Sequence, residues 1–176
     1  MSITNASIVY WTKFQLHQWN MYLAATENGL CYVSSMDGPF EELAEWQKAR
    51  LPAHQLLQDD KAMKRYTVEF ESYLLGLIEG FTFPLDLIGT PFQLKVWSAL
   101  SNIQYGHTAS YSEIAIAIGR PQAARAVGAA IGANPLLIAL PCHRIVSKEE
   151  TLTGTGGYRG GLTMKSSLLE LEQTRS

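Results

Sequence analysis

The chain has 176 residues, 47% hydrophobic and 17% charged, a globular balance that fits one core or two small lobes sharing an interface. No charged-then-apolar leader follows Met1 and no run of about 18 apolar residues occurs, so the sequence predicts neither secretion nor a membrane span and points to the cytoplasm. The net charge of -2 conceals a division: residues 1–89 carry 6 basic against 11 acidic residues, and 90–165 carry 7 against 3, so a basic back half that could face a polyanion follows an acidic front half.

Residues 6–35 read as extended chain: A-S-I-V-Y-W, then W-N-M-Y-L-A-A-T, then G-L-C-Y-V-S-S, with Glu27-Asn28-Gly29 where a hairpin turn belongs. This predicts a small antiparallel sheet. Two helical stretches follow, about 40–50 and about 61–77. The second carries Met63, Tyr66, Phe70, Tyr73, Leu74 and Leu77 at helical spacing, and both are expected to cover one sheet face. Phe81 to Leu87 reads as a last strand, demoted to an edge by Pro84. Thr90 as cap and Pro91 at the first helical position then open a helix with Phe92, Val96, Trp97 and Leu100 on one face. The boundary falls there, giving a front lobe of 1–88 and a back lobe of 89–176.

Residues 111–133 read Y-S-E-I-A-I-A-I-G-R-P-Q-A-A-R-A-V-G-A-A-I-G-A. Ser110 or Ser112 can cap a helix reaching Ile118, Gly119 ends it, and Pro121 is placed to open a second helix, which is a helix-turn-helix layout. The second helix is nearly bare: Ala123, Ala124, Ala126, Gly128, Ala129 and Ala130 leave only Gln122 and Arg125 with any reach. Taken alone, it fits tight packing with Arg125 solvated as well as it fits binding. Reading the major groove takes several polar side chains, so a nucleic-acid role would be a shallow minor-groove contact in which an inserted side chain props open a base step.

Of the two cysteines, Cys31 sits in a strand pattern and reads as a small core hydrophobe. Cys142 stands in A-L-P-C-H-R-I-V-S, beside an imidazole and a guanidinium. A nucleophilic cysteine works as thiolate and needs a positive or proton-accepting neighbour to lower its pKa. On an extended chain Cys142 and His143 would point apart, so a contact between them would run through a water. His17, His54, His107 and His143 show no ligand-like pairing and no C-x-x-C occurs, so no metal is expected. A phosphatase loop would need arginine where Lys148 stands, and a papain-type enzyme a later histidine than His143. Spacing alone leaves Cys142 balanced between structural and reactive.

The combination of P-C-H-R-I-V, Asn134-Pro135 eight residues ahead of it, R-A-V-G-A-A before that, and G-Y-R-G-G-L after it resembles the O6-alkylguanine-DNA alkyltransferase family (methylated-DNA–protein-cysteine methyltransferases) over about 90–172. The resemblance implies an α+β protein: a small N-terminal α/β lobe with a ribonuclease-H-like sheet, and a C-terminal helix-turn-helix, winged-helix-like alkyltransferase domain. It implies a monomeric DNA-repair protein, free of cofactor and metal, that binds duplex DNA through the minor groove. Such a protein flips out O6-alkylguanine, or O4-alkylthymine, and takes the alkyl group irreversibly, so that each molecule acts once. By the resemblance Cys142 is the acceptor, His143 draws its proton through a water, and Glu172 holds that histidine. Asn134 is the hinge between the recognition helix and the active-site strand, and Tyr111 rotates the target phosphate. Arg125 fills the gap left by the flipped base, on a surface made with Gln122, Ala123, Ala124, Ala126 and Gly128. Tyr158, Arg159, Gly160 and Pro141 line the guanine pocket under a glycine-rich flap, and Arg144 braces it. Glu149 and Glu150 bear on lesion size.

The chemistry agrees with these roles, because an alkyl carbon on guanine O6 lies inside the base stack and the base must leave the duplex before a protein thiolate can reach it. Two other classes remain open. One is a lesion-binding protein without transfer, whose known examples lack the cysteine that is present here; the other is a helix-turn-helix regulator, against which the bare helix speaks.

Overall fold

The computed structural model describes residues 6–147 and 157–175. Strand β1 (Ser7–Leu16) turns through His17 and Gln18 into β2 (Trp19–Thr26), which turns through Glu27 and Asn28 into β3 (Gly29–Val33). Both hairpins are antiparallel, and a fourth strand, β4 (His54–Gln58), lies parallel to β1 on its outer side, giving the order β3-β2-β1-β4. The sequence reading ended β1 early and missed β4, a half-exposed edge whose H-Q-L-L-Q lacks the alternation of a half-buried strand.

Alternation along β2 sends side chains to two faces, and β3 follows it with one extra residue, since Ala24 pairs with Tyr32 and Ala25 with Leu30. Met21, Leu23, Ala25, Leu30 and Val33 join Phe14 in the larger core, with Met63, Tyr66, Phe70 and Tyr73 at and along α2 (Lys64–Leu74). Val9, Ala24, Cys31 and Tyr32 gather with Leu43 and Trp46 of α1 (Phe40–Arg50) in a second cluster. The two helices therefore cover opposite faces, not the single face expected, because β4 lies between them in sequence and carries the chain along the sheet edge from one side to the other.

Phe81 to Leu87 is not a strand. It makes one parallel bridge, Leu85 to Leu30, with Leu30 N–H donating to Pro84 O (3.0 Å) and Asp86 N–H to Leu30 O (2.8 Å). Its rings pack inward instead: Phe83 stacks on Phe70 at 6.0 Å, and Phe81 lies 5.0 Å from Tyr73. Gly29 makes this approach possible. Its φ is +146°, and a Cβ there would lie 2.4 Å from Pro84 O.

The back half is helical. A Thr90/Gln93 capping box opens α3 (Pro91–Leu100), and a Ser110/Glu113 box opens α4 (Tyr111–Ala117). The second helix of the pair, α5 (Ala124–Gly132), begins three residues after Pro121. Ala123 N–H donates to Arg120 O (2.9 Å), so Pro121 occupies the second position of a β-turn and not the first turn of the helix. Val96, Trp97, Ile114, Val127 and Ile131 form the core between the three helices, where the Trp97 indole N–H donates to Ala130 O (2.9 Å). A single 3-10 turn over Cys142–Arg144 and α6 (Gly161–Arg175) follow. Among the described residues no helix is long and apolar enough to cross a membrane.

Replacing Gly29 by alanine should destabilise the protein by at least about 2 kcal/mol, since both the backbone conformation and the Pro84 carbonyl oppose a methyl group. Urea denaturation measures this, and a change within about 0.5 kcal/mol of zero would contradict the packing described.

A candidate active site around Cys142

Two tight turns bring Asn134 and Cys142 together. Ala139 N–H donates to Leu137 O (2.8 Å) around Ile138, whose φ is +70°; Cys142 N–H donates to Leu140 O (2.8 Å) around Pro141, at φ -80° and ψ 54°. The second is the common form of three-residue turn; the first, with a β-branched residue in the left-handed region, is strained by about 1–3 kcal/mol and persists because Ile138 is buried. As a result Asn134 Nδ2 donates to Cys142 Sγ at 3.0 Å across eight residues. The amide orientation is settled by Leu136, whose N–H donates to Asn134 Oδ1 (2.8 Å) and leaves the NH2 end for the sulfur. Cys142 itself lies on the 3-10 turn, where a strand was expected.

The turn presents His143 and Arg144 to Glu172 of α6. His143 Nε2 lies 2.7 Å from Glu172 Oε1; Arg144 Nε donates to Oε2 at 2.9 Å, and its Nη2 donates to Oε1 at 2.9 Å. Arg144 Nη1 donates to Ile103 O (2.6 Å), tying the pair to the segment between α3 and α4, from which Gly106 N–H also donates to Glu172 Oε2 (3.3 Å). Tyr73 of α2 completes the set, its hydroxyl donating to Glu172 Oε1. Tyr73 was read from the sequence only as a core residue at helical spacing. A buried tyrosine needs a partner for its hydroxyl, but the sequence contains no sign of which one.

These contacts fix the protonation states. Burial alone would raise the Glu172 pKa, yet the hydrogen bonds from His143 and Arg144 outweigh it and hold the carboxyl down to about 2. Burial pushes the His143 imidazole below its ordinary value, against the pull of Glu172. The imidazole is therefore neutral, and since a carboxylate can only accept, Nε2 carries the hydrogen. Nδ1 is left as a bare acceptor, buried and without a partner among the described residues. The Cys142 thiol is pushed up to about 11, not lowered as expected, because burial at 2% exposure outweighs the Asn134 hydrogen bond and the nearby charge of Arg159. Arg144 cannot help, its charge being held by Glu172. Cys31 is buried, donates to Ala24 O and is raised to about 12, as suits a core residue.

Tyr158 is buried with its hydroxyl unpartnered among the described residues, and burial first, then the nearness of Cys142, raises its pKa. Gly160 lets its ring fold back: a Cβ at Gly160 would lie 2.5 Å from Tyr158 Cε1. The Arg159 side chain turns instead toward β3, where Nη2 donates to Val33 O (2.6 Å). Pro141 is buried at the start of the turn. On the helix pair, Gln122, Arg125 and Ala126 are exposed, Ala123 and Ala124 half-buried, and Gly128 faces the Tyr111 ring, so the open face runs on through Ala129. Glu149, Glu150 and the glycine-rich flap ahead of Gly157 lie outside the described residues. Among those described, no cluster of His, Cys, Asp and Glu could hold a metal ion.

A bare, exposed helix of a helix-turn-helix pair, joined by one asparagine to a buried cysteine with a histidine–glutamate pair beside it, combines the parts that a DNA-binding protein with thiol chemistry needs. Comparison with known proteins gives the family. The family model "6-O-methylguanine DNA methyltransferase, ribonuclease-like domain" matches residues 9–87, and "6-O-methylguanine DNA methyltransferase, DNA binding domain" matches 91–174. The inducible methylated-DNA–protein-cysteine methyltransferase of Bacillus subtilis is 50% identical over 98% of this chain and 95% of its own. The crystal structure of Mycobacterium tuberculosis O6-methylguanine methyltransferase superposes with a TM-score of 0.80 at 36% identity, covering 96% of this chain and 94% of that one. M. tuberculosis OGT in complex with DNA gives 0.79 at 37%, covering 96% and 95%. The chain belongs to the 6-O-methylguanine DNA methyltransferase family, and its α+β fold, sheet first and helical DNA-binding half second, is the one the resemblance implied.

Stability should fall with acid in two windows. His143 is held below 6.5, so the unfolded chain takes up its proton first and loss begins as pH falls past about 6.5. Glu172 is held at about 2 against 4.5, so its contribution, on the order of 3 kcal/mol, is present above pH 4.5 and lost as pH falls toward 2. Denaturant titrations at stepped pH measure both; Glu172→Gln should lack the lower window, and a wild-type stability flat from pH 7 to 3 would contradict the assignment.

Proposed function

We propose that the protein repairs alkylated duplex DNA by moving the alkyl group of O6-alkylguanine, and of O4-alkylthymine, onto Cys142 in a single irreversible turnover. The observation that carries this reading is the pairing of Asn134 Nδ2 with Cys142 Sγ at 3.0 Å, next in sequence to a neutral His143 whose Nδ1 is a buried base without a partner among the described residues. A thiol near pKa 11 is almost wholly protonated at neutral pH, so transfer depends on handing its proton to that base as attack begins. His143 takes the proton through a bridging water, Glu172 steadies the imidazolium that forms, and Asn134 stabilises the charge gathering on sulfur. The sulfur then displaces O6 at the alkyl carbon: the S–C bond forms, the C–O bond breaks with its electron pair staying on the purine, and His143 passes the thiol's proton on to the displaced guanine. No cofactor enters the balance. The thioether has no route back, which makes the protein its own consumed reagent.

The closed thiol also explains why the base must come to it. In this reading the nearly bare α5 lies in the minor groove, with Gln122, Ala123, Ala124, Ala126 and Gly128 letting the backbone approach. Arg125 occupies the space left by the flipped nucleotide, at a cost of a few kcal/mol for unstacking, least for a damaged pair. Tyr111, at the start of α4, turns the phosphate. Tyr158, Gly160 and Pro141 receive the base, and Arg144 braces the wall. The division of labour is a scaffold lobe, 1–88, and a DNA-binding and acceptor lobe, 89–176, in a monomer working in the cytoplasm.

Intact-mass measurement after incubation with a duplex carrying O6-methylguanine tests this. One added methyl group, about 14 Da, should appear at Cys142 and be absent from Cys142→Ser; an unmodified wild type that still binds the lesion would leave a binding protein only. Arg125→Ala should slow transfer from duplex by roughly 10- to 100-fold, with far less effect on single-stranded substrate, where nothing has to be unstacked. Equal losses on both substrates would remove Arg125 from the flipping step.

A further inference from the structure

We infer that Arg159 is a positioning residue for Cys142, and that the front sheet takes part in the chemistry by holding it; the inference rests on Cys142 being the alkyl acceptor. The guanidinium is a rigid planar fork, and here its acceptors come from both halves of the molecule. Nε donates to Asn134 O (3.0 Å), Nη2 to Val33 O (2.6 Å) and Pro135 O (3.2 Å), and Nη1 to the Tyr32 hydroxyl (3.4 Å), while its carbon lies 5.3 Å from the Tyr32 ring centroid. Val33 and Tyr32 belong to β3; Asn134 and Pro135 follow the end of α5.

Two consequences follow from that placement. The first is mechanical. Val33 N–H already donates to Pro135 O (2.8 Å), and Val33 bridges to Leu136, so β3 adds one rung to the segment leading to the cysteine. Arg159 locks that rung. The residue whose carbonyl it grips, Asn134, is the same residue whose amide touches the sulfur. A shift of the guanidinium thus reaches Sγ through one residue.

The second is electrostatic. His143 is neutral and Arg144 is paired with Glu172, so neither of the cysteine's sequence neighbours offers a free positive charge. None of the four acceptors of Arg159 named here, three carbonyls and a phenol, carries a charge, and its partial burial limits screening by salt. After the Asn134 hydrogen bond, its charge is the largest influence opposing burial at the thiol, ahead of Lys165. Among the described residues, the charged and titratable groups that face this assembly are Tyr158 and Lys165 near the sulfur, Tyr32 on the sheet, and Glu42 and Glu45 of α1 along the cleft beside Arg159, with Tyr73 and Glu172 beyond Tyr158. Only the mechanical effect requires arginine; lysine keeps the charge but cannot fork.

The test compares wild type, Arg159→Lys and Arg159→Gln in two assays. The first needs no DNA: carbamidomethylation of Cys142 by iodoacetamide at pH 8, read by peptide mass, where the rate follows the thiolate fraction. It should fall about tenfold in Arg159→Gln and stay within about threefold of wild type in Arg159→Lys. The second is single-turnover methyl transfer over a range of duplex concentrations. Both variants should lose about tenfold in limiting rate with the half-saturating DNA concentration unchanged, because the fork is lost in each. Equal iodoacetamide rates in all three proteins would overturn the electrostatic role. A raised half-saturation at an unchanged limiting rate would overturn the positioning role and make Arg159 a DNA contact. If Arg159→Gln fails to fold, Arg159→Lys decides: wild-type transfer by it overturns the fork. A wild type that takes up no methyl would sink the repair reading, while the iodoacetamide comparison would still judge Arg159.

Discussion

A carboxylate buried to 1% exposure cannot remain charged unless donors surround it, and the donors that surround Glu172 come from three separate stretches of the chain. Tyr73 reaches it from α2, Gly106 from the segment between α3 and α4, His143 and Arg144 from the cysteine turn. Meeting this one electrostatic demand sets the imidazole's tautomer, fixes the turn against α6 and fastens the front lobe to the back. Removing any partner would leave a buried charge less than satisfied.

The same network explains how a cysteine beside an imidazole and a guanidinium can have a raised pKa. Arg144 is spent on Glu172, and His143 is turned so that its protonated nitrogen faces away toward the carboxylate. A quiet thiol suits a protein that can react once. A free thiolate would be open to adventitious electrophiles and oxidants, whereas under the proposed function a buried thiol that ionises only as its proton is taken would keep its single turnover for a base delivered to it.

Much of this was legible in the residues. The hairpin at Gly29, helix α1, the capped start of α3 and the helix-turn-helix pair follow from turn and cap chemistry that acts over a few residues. What escaped reading was long-range. β4 exists because β1 offers an edge, not because H-Q-L-L-Q prefers extension. Phe81 and Phe83 look like strand residues, but their rings find α2 before their backbone finds a ladder. Pro121 can open a helix or sit second in a β-turn, and only the Arg120 to Ala123 hydrogen bond decides. At the site, Asn134, Cys142, His143 and Glu172 could be named from motif order, but the inversion of the cysteine's pKa depends on burial, and the reach of Tyr73 and Arg159 across the lobes depends on how the two halves dock.

The account stands on His143 being neutral, with its hydrogen on Nε2 toward Glu172 and Nδ1 bare. Nitrogen-15 NMR of histidine-labelled protein at pH 7, with Glu172→Gln to assign the signal, measures this directly. The account predicts one pyrrole-like nitrogen at Nε2 and one pyridine-like nitrogen at Nδ1. An imidazolium, or the opposite tautomer with the hydrogen on Nδ1, would contradict it, since neither could accept the proton of Cys142 at that nitrogen.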